Sequence, residues 1–218
     1  MTGEVLVAAR SGQTAARRVL LLPPAYAHPE DFLRQGFADA VQSRALDLDL
    51  VPVELRFRSV SDRSALTLLS RLIDAARRAG CAQVWLAGIS LGAYIALLSA
   101  EREPRAVDGL CLFAPYLGSH IVTQEIERAG GVAAWEPGEL AAEDEERRLW
   151  RFIKTHLQGD PPIHLGLGRD DRFGARHRLL AAALPAARVD HVPGGHEWPV
   201  WRRLWENFLD ARFADSQS

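Results

Sequence analysis

Short apolar runs alternate along the chain with longer stretches of helical period. Several runs, such as VLLL, VWLAG and LCLF, are apolar at consecutive positions, as expected for strands that helices cover on both faces. The apolar runs predict strands over 4–8, 18–22, 48–55, 83–87, 107–113, 163–167 and 187–192. The stretches of helical period predict helices over about 29–43, 62–79, 91–102, 174–184 and 197–213. This order is typical of an α/β fold with a mostly parallel sheet covered by helices on both faces.

One interval breaks the alternation. Between residues 119 and 162 the chain carries Trp135, a Pro–Gly pair and the charged run AAEDEERRLW. Glu143 stands four residues before Arg147, which is typical of a solvated helical face. We expect 119–162 to be a small cap inserted over the carboxyl ends of the strands. A chain of 218 residues has the length of one such domain, so we expect a single domain over 1–218 that includes the cap.

Composition and charge narrow the class of partner. Hydrophobic residues make up 48% of the chain and charged residues 25%, and a net charge of -2 gives no reason to expect binding to nucleic acid or an anionic membrane. No run approaches the roughly 18 apolar residues of a membrane span, and the first residues lack a basic segment followed by an apolar one. We therefore expect a cytoplasmic protein that acts on a small molecule.

The two cysteines, Cys81 and Cys111, lie next to and within apolar runs. They lack the spacing of a zinc or redox site. Both are expected to be small buried hydrophobic residues.

The strongest chemical signal is the segment Gly88-Ile89-Ser90-Leu91-Gly92, which stands between a predicted strand and a predicted helix. A serine at such a sharp turn is held in a strained conformation, and glycine two residues before and after it avoids collisions with the neighbouring strand and helix. The helix that opens at Leu91 would point free N–H groups toward the serine, where negative charge develops in acyl transfer. A plain strand-to-helix turn with an incidental serine is the alternative.

This segment resembles the nucleophile elbow of the α/β-hydrolase superfamily, whose members carry a triad in the order Ser, acid, His. The resemblance can be followed over nearly the whole chain and implies the α/β-hydrolase fold, with the small cap between the sixth and seventh strands of the superfamily. It also implies an acid after a later strand. Gly168-Arg169-Asp170-Asp171 resembles the G-x-x-D turn beyond the seventh strand, and the spacing favours Asp171 over Asp170. The alternative is that both aspartates cap the next helix.

The base that the resemblance implies is His196. It lies in the loop Val192-Pro193-Gly194-Gly195-His196-Glu197-Trp198, directly before the last predicted helix. The continuation H-E-W-x-x-W resembles the esterase branch that includes formylglutathione hydrolases and mycolyltransferases. Trp198 could line the acyl pocket or pack the helix. The other six histidines are expected to be structural or exposed, because none has the loop and chain order of the triad.

The loop after the apolar run at 18–22 departs from the superfamily pattern. Members of the superfamily usually carry His-Gly-x at this place, whereas this chain has Pro23 and Pro24. Proline has no N–H, so the oxyanion donor opposite Leu91 must come from Ala25 or, if the loop is shifted by one residue, from Tyr26. An ordinary rigid turn is the alternative. Tyr26 is also a candidate for the substrate cleft.

Together these residues predict a serine hydrolase of the carboxylesterase or thioesterase type that needs no metal or organic cofactor. An acyltransferase with the same triad and a catalytically silent binding module are the two alternatives. Apolar residues in and near the cap favour an apolar acyl group of modest size. They are Tyr116, Trp135, Leu140, Leu149 and Trp150.

Overall fold

The computed structural model describes residues 15–55, 64–156, 161–184 and 188–213. Within these ranges six strands form one sheet in the order β2-β1-β3-β4-β5-β6, and every neighbouring pair is parallel. The strands are β1 (Arg17–Leu22), β2 (Leu48–Pro52), β3 (Gln83–Ile89), β4 (Gly109–Phe113), β5 (Ile163–Gly168) and β6 (Arg188–Val192). The predicted strand at 4–8 lies outside the described residues.

Eight helices connect and cover the strands in the described part of the chain. They are α1 (Pro29–Arg34), α2 (Phe37–Ser43), α3 (Ser64–Arg78), α4 (Leu91–Arg102), α5 (His120–Arg128), α6 (Glu145–His156), α7 (Gly174–Ala183) and α8 (Trp198–Arg212). None of these helices combines the length and apolar character that crossing a membrane requires.

Alternating side chains of each central strand supply two separate cores. Leu86 of β3 packs into one core with α3, α4, α6 and α7, whereas its neighbour Trp85 packs into the other core with α1, α2 and α8. Strands buried on both faces must be apolar at consecutive positions, which explains the runs in the sequence. The predicted three-layer α/β architecture is therefore confirmed.

The predicted helix over 29–43 is wrong in one respect, because it is two helices. The backbone at Gly36 has a φ of 77°, a left-handed conformation that ends α1 and starts α2 at a new angle. Arg202 of α8 donates a hydrogen bond to Gln35 O beside this break. Helical period alone could not separate two short helices whose apolar faces enter the same core.

The inserted segment contributes α5 and α6, and part of it packs into the core of the domain. Trp135, Leu149 and Trp150 are at most 2% exposed, and Trp150 Nε1 donates to Leu117 O at 3.2 Å. None of these three side chains lines the cavity that contains Ser90, so they do not support the expectation of an apolar acyl group. They pack in the core that covers one face of the sheet and α4. Cys81 and Cys111 are buried free thiols, as predicted.

Candidate active site

The chain reverses its direction of travel across the sheet between β1 and β3. From β1 the chain first adds β2 on one side, and it then returns to place β3, β4, β5 and β6 on the other. The loops after β1 and β3 therefore leave neighbouring strands in opposite directions, which opens a crevice at the carboxyl edge of the sheet. All predicted site residues that follow strands lie at this edge, because every strand is parallel.

Ser90 occupies the turn between β3 and α4 with φ 51° and ψ −109°, a strained conformation for a residue with a side chain. A Cβ on Gly88 would meet backbone atoms of Gly92 and Ala93, and a Cβ on Gly92 would meet the carbonyl group of Leu22. Both glycines are thus required by close backbone contacts, as the sequence predicts. The plain turn that was the alternative would not need this strained geometry.

His196 and Asp171 are joined side chain to side chain. His196 Nδ1 lies 2.8 Å from Asp171 Oδ2, and the Asp171 side chain is fully buried. The other carboxylate oxygen, Oδ1, accepts the N–H of Phe173 at 2.9 Å. Because a carboxylate only accepts, Nδ1 carries the proton, and the second ring nitrogen, Nε2, is left to accept one.

Hydrogen bonds to Asp171 favour the ionised form of its side chain. Burial favours the neutral carboxyl, but the hydrogen bonds from His196 and from the Phe173 N–H together outweigh it and lower the pKa of Asp171. The side chain is therefore a carboxylate at neutral pH.

Asp170 points elsewhere and ties two loops together. Its Oδ2 accepts the N–H of Gly194 at 3.1 Å, and its own N–H donates to Gly194 O at 3.0 Å. These bonds join the loop after β5 to the loop that carries His196. The alternative that both aspartates only cap α7 does not describe their main contacts.

A cavity of about 500 Å³ lies in the crevice and brings Ser90 and His196 to one surface. Ala25, Tyr26 and Trp198 also line it. Its other lining residues are Pro24, Ala27, Asp31, Arg172, Glu197 and Trp201. Tyr116 is absent from this lining, although its backbone N–H donates to Ser90 O at 3.0 Å.

Three comparisons bear on this arrangement. No protein-family model matches the sequence, and no curated protein matches it. Solved structures do match over almost the whole chain. A S-formylglutathione hydrolase from Staphylococcus aureus has a TM-score of 0.67 at 9% identity, covering 93% of this chain and 82% of that chain.

Two further solved structures also match most of the chain at low sequence identity. The protein Est1E from Butyrivibrio proteoclasticus has a TM-score of 0.62 at 17% identity, covering 94% of this chain and 91% of that one. A monoacylglycerol lipase from Paleococcus ferrophilus has a TM-score of 0.60 at 16% identity, covering 92% of this chain and 96% of that one. The chain adopts the α/β-hydrolase fold. At these identities the likeness establishes the fold alone, so the chemistry must be argued from the site.

The loop after β1, which carries Pro23 and Pro24, forms a tight turn at the edge of the cavity. Ala27 N donates to Pro24 O at 3.2 Å, which closes a turn with Ala25 and Tyr26 at its centre. Tyr26 has a φ of 64° and its side chain is 91% exposed, whereas Ala25 keeps a negative φ. A negative φ followed by a positive φ is typical of the two central residues of a type II turn, and proline is common at the first of these positions. In the described part of the chain the Ala25 N–H has no hydrogen-bond partner.

Two aromatic rings flank the imidazole of His196. Phe173 stands 5.2 Å from it and Trp201 5.0 Å from it, both close to perpendicular. Packing against these rings restricts rotation of the imidazole, whose side chain is 12% exposed. Sequence reasoning missed Phe173, although its place two residues after Asp171 was a usable signal. Trp201 is the second tryptophan of the H-E-W-x-x-W motif, which does not by itself predict the contact with His196.

Ser90 Oγ makes no hydrogen bond among the described residues. A loose nucleophile–base contact is common in hydrolases without substrate and tightens when the substrate binds. In the same described ranges, no group of three or more His, Cys, Asp or Glu side chains is arranged to hold a metal ion.

Proposed function

We propose that this chain is a serine hydrolase that cleaves a carboxylic ester or thioester through an acyl-enzyme intermediate. The observation that carries the proposal is the 2.8 Å contact between buried Asp171 and His196, beside a cavity that His196 shares with Ser90 in its strained turn. A hydroxyl needs a base to become a nucleophile, and the base needs a carboxylate to fix its tautomer. These are the roles we assign to His196 and Asp171.

In the first step Ser90 Oγ attacks the carbonyl carbon of the substrate while His196 Nε2 takes the hydroxyl proton. The tetrahedral oxyanion accepts hydrogen bonds from the N–H groups of Ala25 and Leu91. Collapse of this intermediate breaks the bond to the leaving alcohol or thiol, which receives the proton from His196. The acyl group is then bonded to Ser90.

In the second step water attacks the acyl carbonyl carbon and gives a proton to His196. The bond to Ser90 breaks, Ser90 regains its proton, and a carboxylic acid leaves. Asp171 stays ionised throughout and stabilises the imidazolium that forms twice in the cycle. Its lowered pKa supports this role.

The cavity is open to solvent, which favours water over an alcohol or amine as the acceptor of the acyl group. Tyr26 stands at its rim with 91% of its surface exposed, and no lining residue comes from the described part of 119–162. An acyltransferase must exclude water from the acyl-enzyme. We therefore place hydrolysis ahead of acyl transfer to an alcohol or amine. A binding module without catalytic activity would not require the buried Asp171–His196 pair.

The test is a panel of nitrophenyl esters and thioesters of graded acyl length, measured with the wild type and Ser90→Ala. Hydrolysis by the wild type with loss of at least 10³-fold in Ser90→Ala is expected, because the remaining groups cannot form the acyl-enzyme. Equal rates for the two proteins would contradict the proposal. The thioester arm decides between the two ester classes.

A further inference from the structure

Arg172 is a cation in the wall of the Ser90 cavity, next to the proposed acid Asp171. Its side chain is exposed, and among the described residues it has no ion pair and no hydrogen bond. The guanidinium carbon lies 4.9 Å from the centre of the Phe173 ring. An arginine on an aromatic face keeps all of its N–H donors available at the edge of its plane.

Phe173 sets an upper limit on the distance between this charge and the imidazole of His196. Its ring is also 5.2 Å from the imidazole of His196, so the guanidinium carbon lies within about 10 Å of that imidazole. A second guanidinium, from Arg176, lies 5.8 Å from the Phe173 ring, and among the described residues it donates only to Gly118 O, at 3.4 Å. Arg172 therefore places a positive charge in the cavity wall that no carboxylate of the described residues pairs with, and Arg176 adds a second positive charge outside the lining.

Two carboxylates also line the cavity. Asp31 is already balanced, because one oxygen pairs with Arg34 at 2.5 Å and the other accepts the N–H of His28 at 2.7 Å. Glu197 is exposed, and its Oε1 lies 3.5 Å from Gly195 N, turned back toward its own loop. Neither carboxylate contacts Arg172.

We infer that Arg172 selects esters that carry an anionic oxygen group, a carboxylate in the simplest case, a few bonds from the scissile carbonyl. The inference rests on the proposed ester hydrolysis and adds the class of substrate to it. Guanidinium binds a carboxylate by paired N–H donors, and a separation of at most about 10 Å from His196 suits a linker of a few atoms. The net charge of the chain is -2, so a preference for anions requires a local cation.

The test uses nitrophenyl monoesters of succinate, glutarate and adipate, each paired with the neutral methyl ester of the same acid. Acetoxybenzoate and its methyl ester place the charge on the leaving alcohol instead. The quantity compared is the ratio of kcat/KM for the anionic ester to that for its neutral counterpart. Using the ratio removes any general loss of activity that a substitution causes.

We expect the wild type to prefer at least one anionic ester by about tenfold, since a hydrogen-bonded charge pair has about this effect. Arg172→Gln should lower this ratio about tenfold, mainly through KM, and Arg172→Lys, which keeps the charge but loses the paired donors, should retain only part of it. Arg178→Gln, an exposed arginine of α7 outside the cavity lining, is the control for net charge and should keep the ratio. Molar salt should reduce the preference.

Hydrolysis of all esters with no charge preference in any pair overturns this inference and leaves the proposed function standing. An equal ratio in the wild type and Arg172→Gln also overturns it, since the preference would then arise elsewhere. If no ester is hydrolysed and Ser90 does not react with a fluorophosphonate, the proposed function fails and the inference falls with it.

Discussion

The Nδ1 atom of His196 lies 2.8 Å from Oδ2 of Asp171, whereas Asp170, one residue earlier, binds the backbone of Gly194. Neighbouring aspartates thus have separate tasks. Asp171 contacts the imidazole, and Asp170 joins the two loops that carry the proposed acid and base.

We predict that Asp171→Asn lowers kcat by roughly 10³ to 10⁴, because an amide group favours the wrong tautomer of His196. Asp170→Asn should have a mild effect, since its amide oxygen can still accept the Gly194 N–H. Steady-state kinetics of the two variants give the ranking. The reverse order would show that the acid has been assigned one residue too late.

The turn at Ala25 offers a test of the oxyanion hole. Ala25→Pro removes the N–H, and proline suits this first central position of the turn. We predict a fall in kcat of about 10² to 10³, the usual effect of losing one oxyanion donor.

Tyr26→Gly is the matched control for Ala25→Pro, because glycine relieves the positive φ and keeps the N–H of residue 26. Both variants should retain the circular dichroism spectrum of the wild type. A folded Ala25→Pro with near-normal kcat would show that the donor is elsewhere in the loop.

His177 provides a prediction about stability and pH. It is 1% exposed, its Nε2–H donates to Pro115 O at 3.2 Å, and its buried Nδ1 has no hydrogen-bond partner among the described residues. Burial lowers the pKa of His177 below 6.5, with Asp171 acting in the opposite sense. The unfolded chain therefore binds a proton at this residue more readily than the folded chain does, so the free energy of unfolding falls as the pH drops below about 6.5.

We predict that His177→Gln makes the free energy of unfolding less dependent on pH between about pH 7 and pH 5, because glutamine can donate to Pro115 O but does not titrate. Urea unfolding at several pH values measures the slope. His120→Gln, at an exposed position of α5, is the control. An unchanged slope in His177→Gln would show that His177 does not contribute to acid sensitivity.

The sequence predicted the architecture because strands buried on both faces leave uninterrupted apolar runs, and it predicted the Ser90 turn because Gly88 and Gly92 are needed there. The spacing from Gly168 distinguished Asp171 from Asp170. Sequence reasoning misjudged Trp135 and Trp150, since an aromatic residue in a cap and one in a core have the same local pattern. It also missed Arg172, because only the fold brings that side chain to the cavity of Ser90.

The most direct test of the account is labelling with a fluorophosphonate, followed by peptide mapping, with Ser90→Ala as the control for labelling at other serines. An activated serine attacks the phosphorus atom, displaces fluoride and remains covalently bonded to the phosphonyl group, whereas an ordinary surface serine does not react. The account predicts stoichiometric labelling at Ser90 and slower labelling in Asp171→Asn. A folded wild-type protein that stays unlabelled, or that is labelled at another serine, would contradict it.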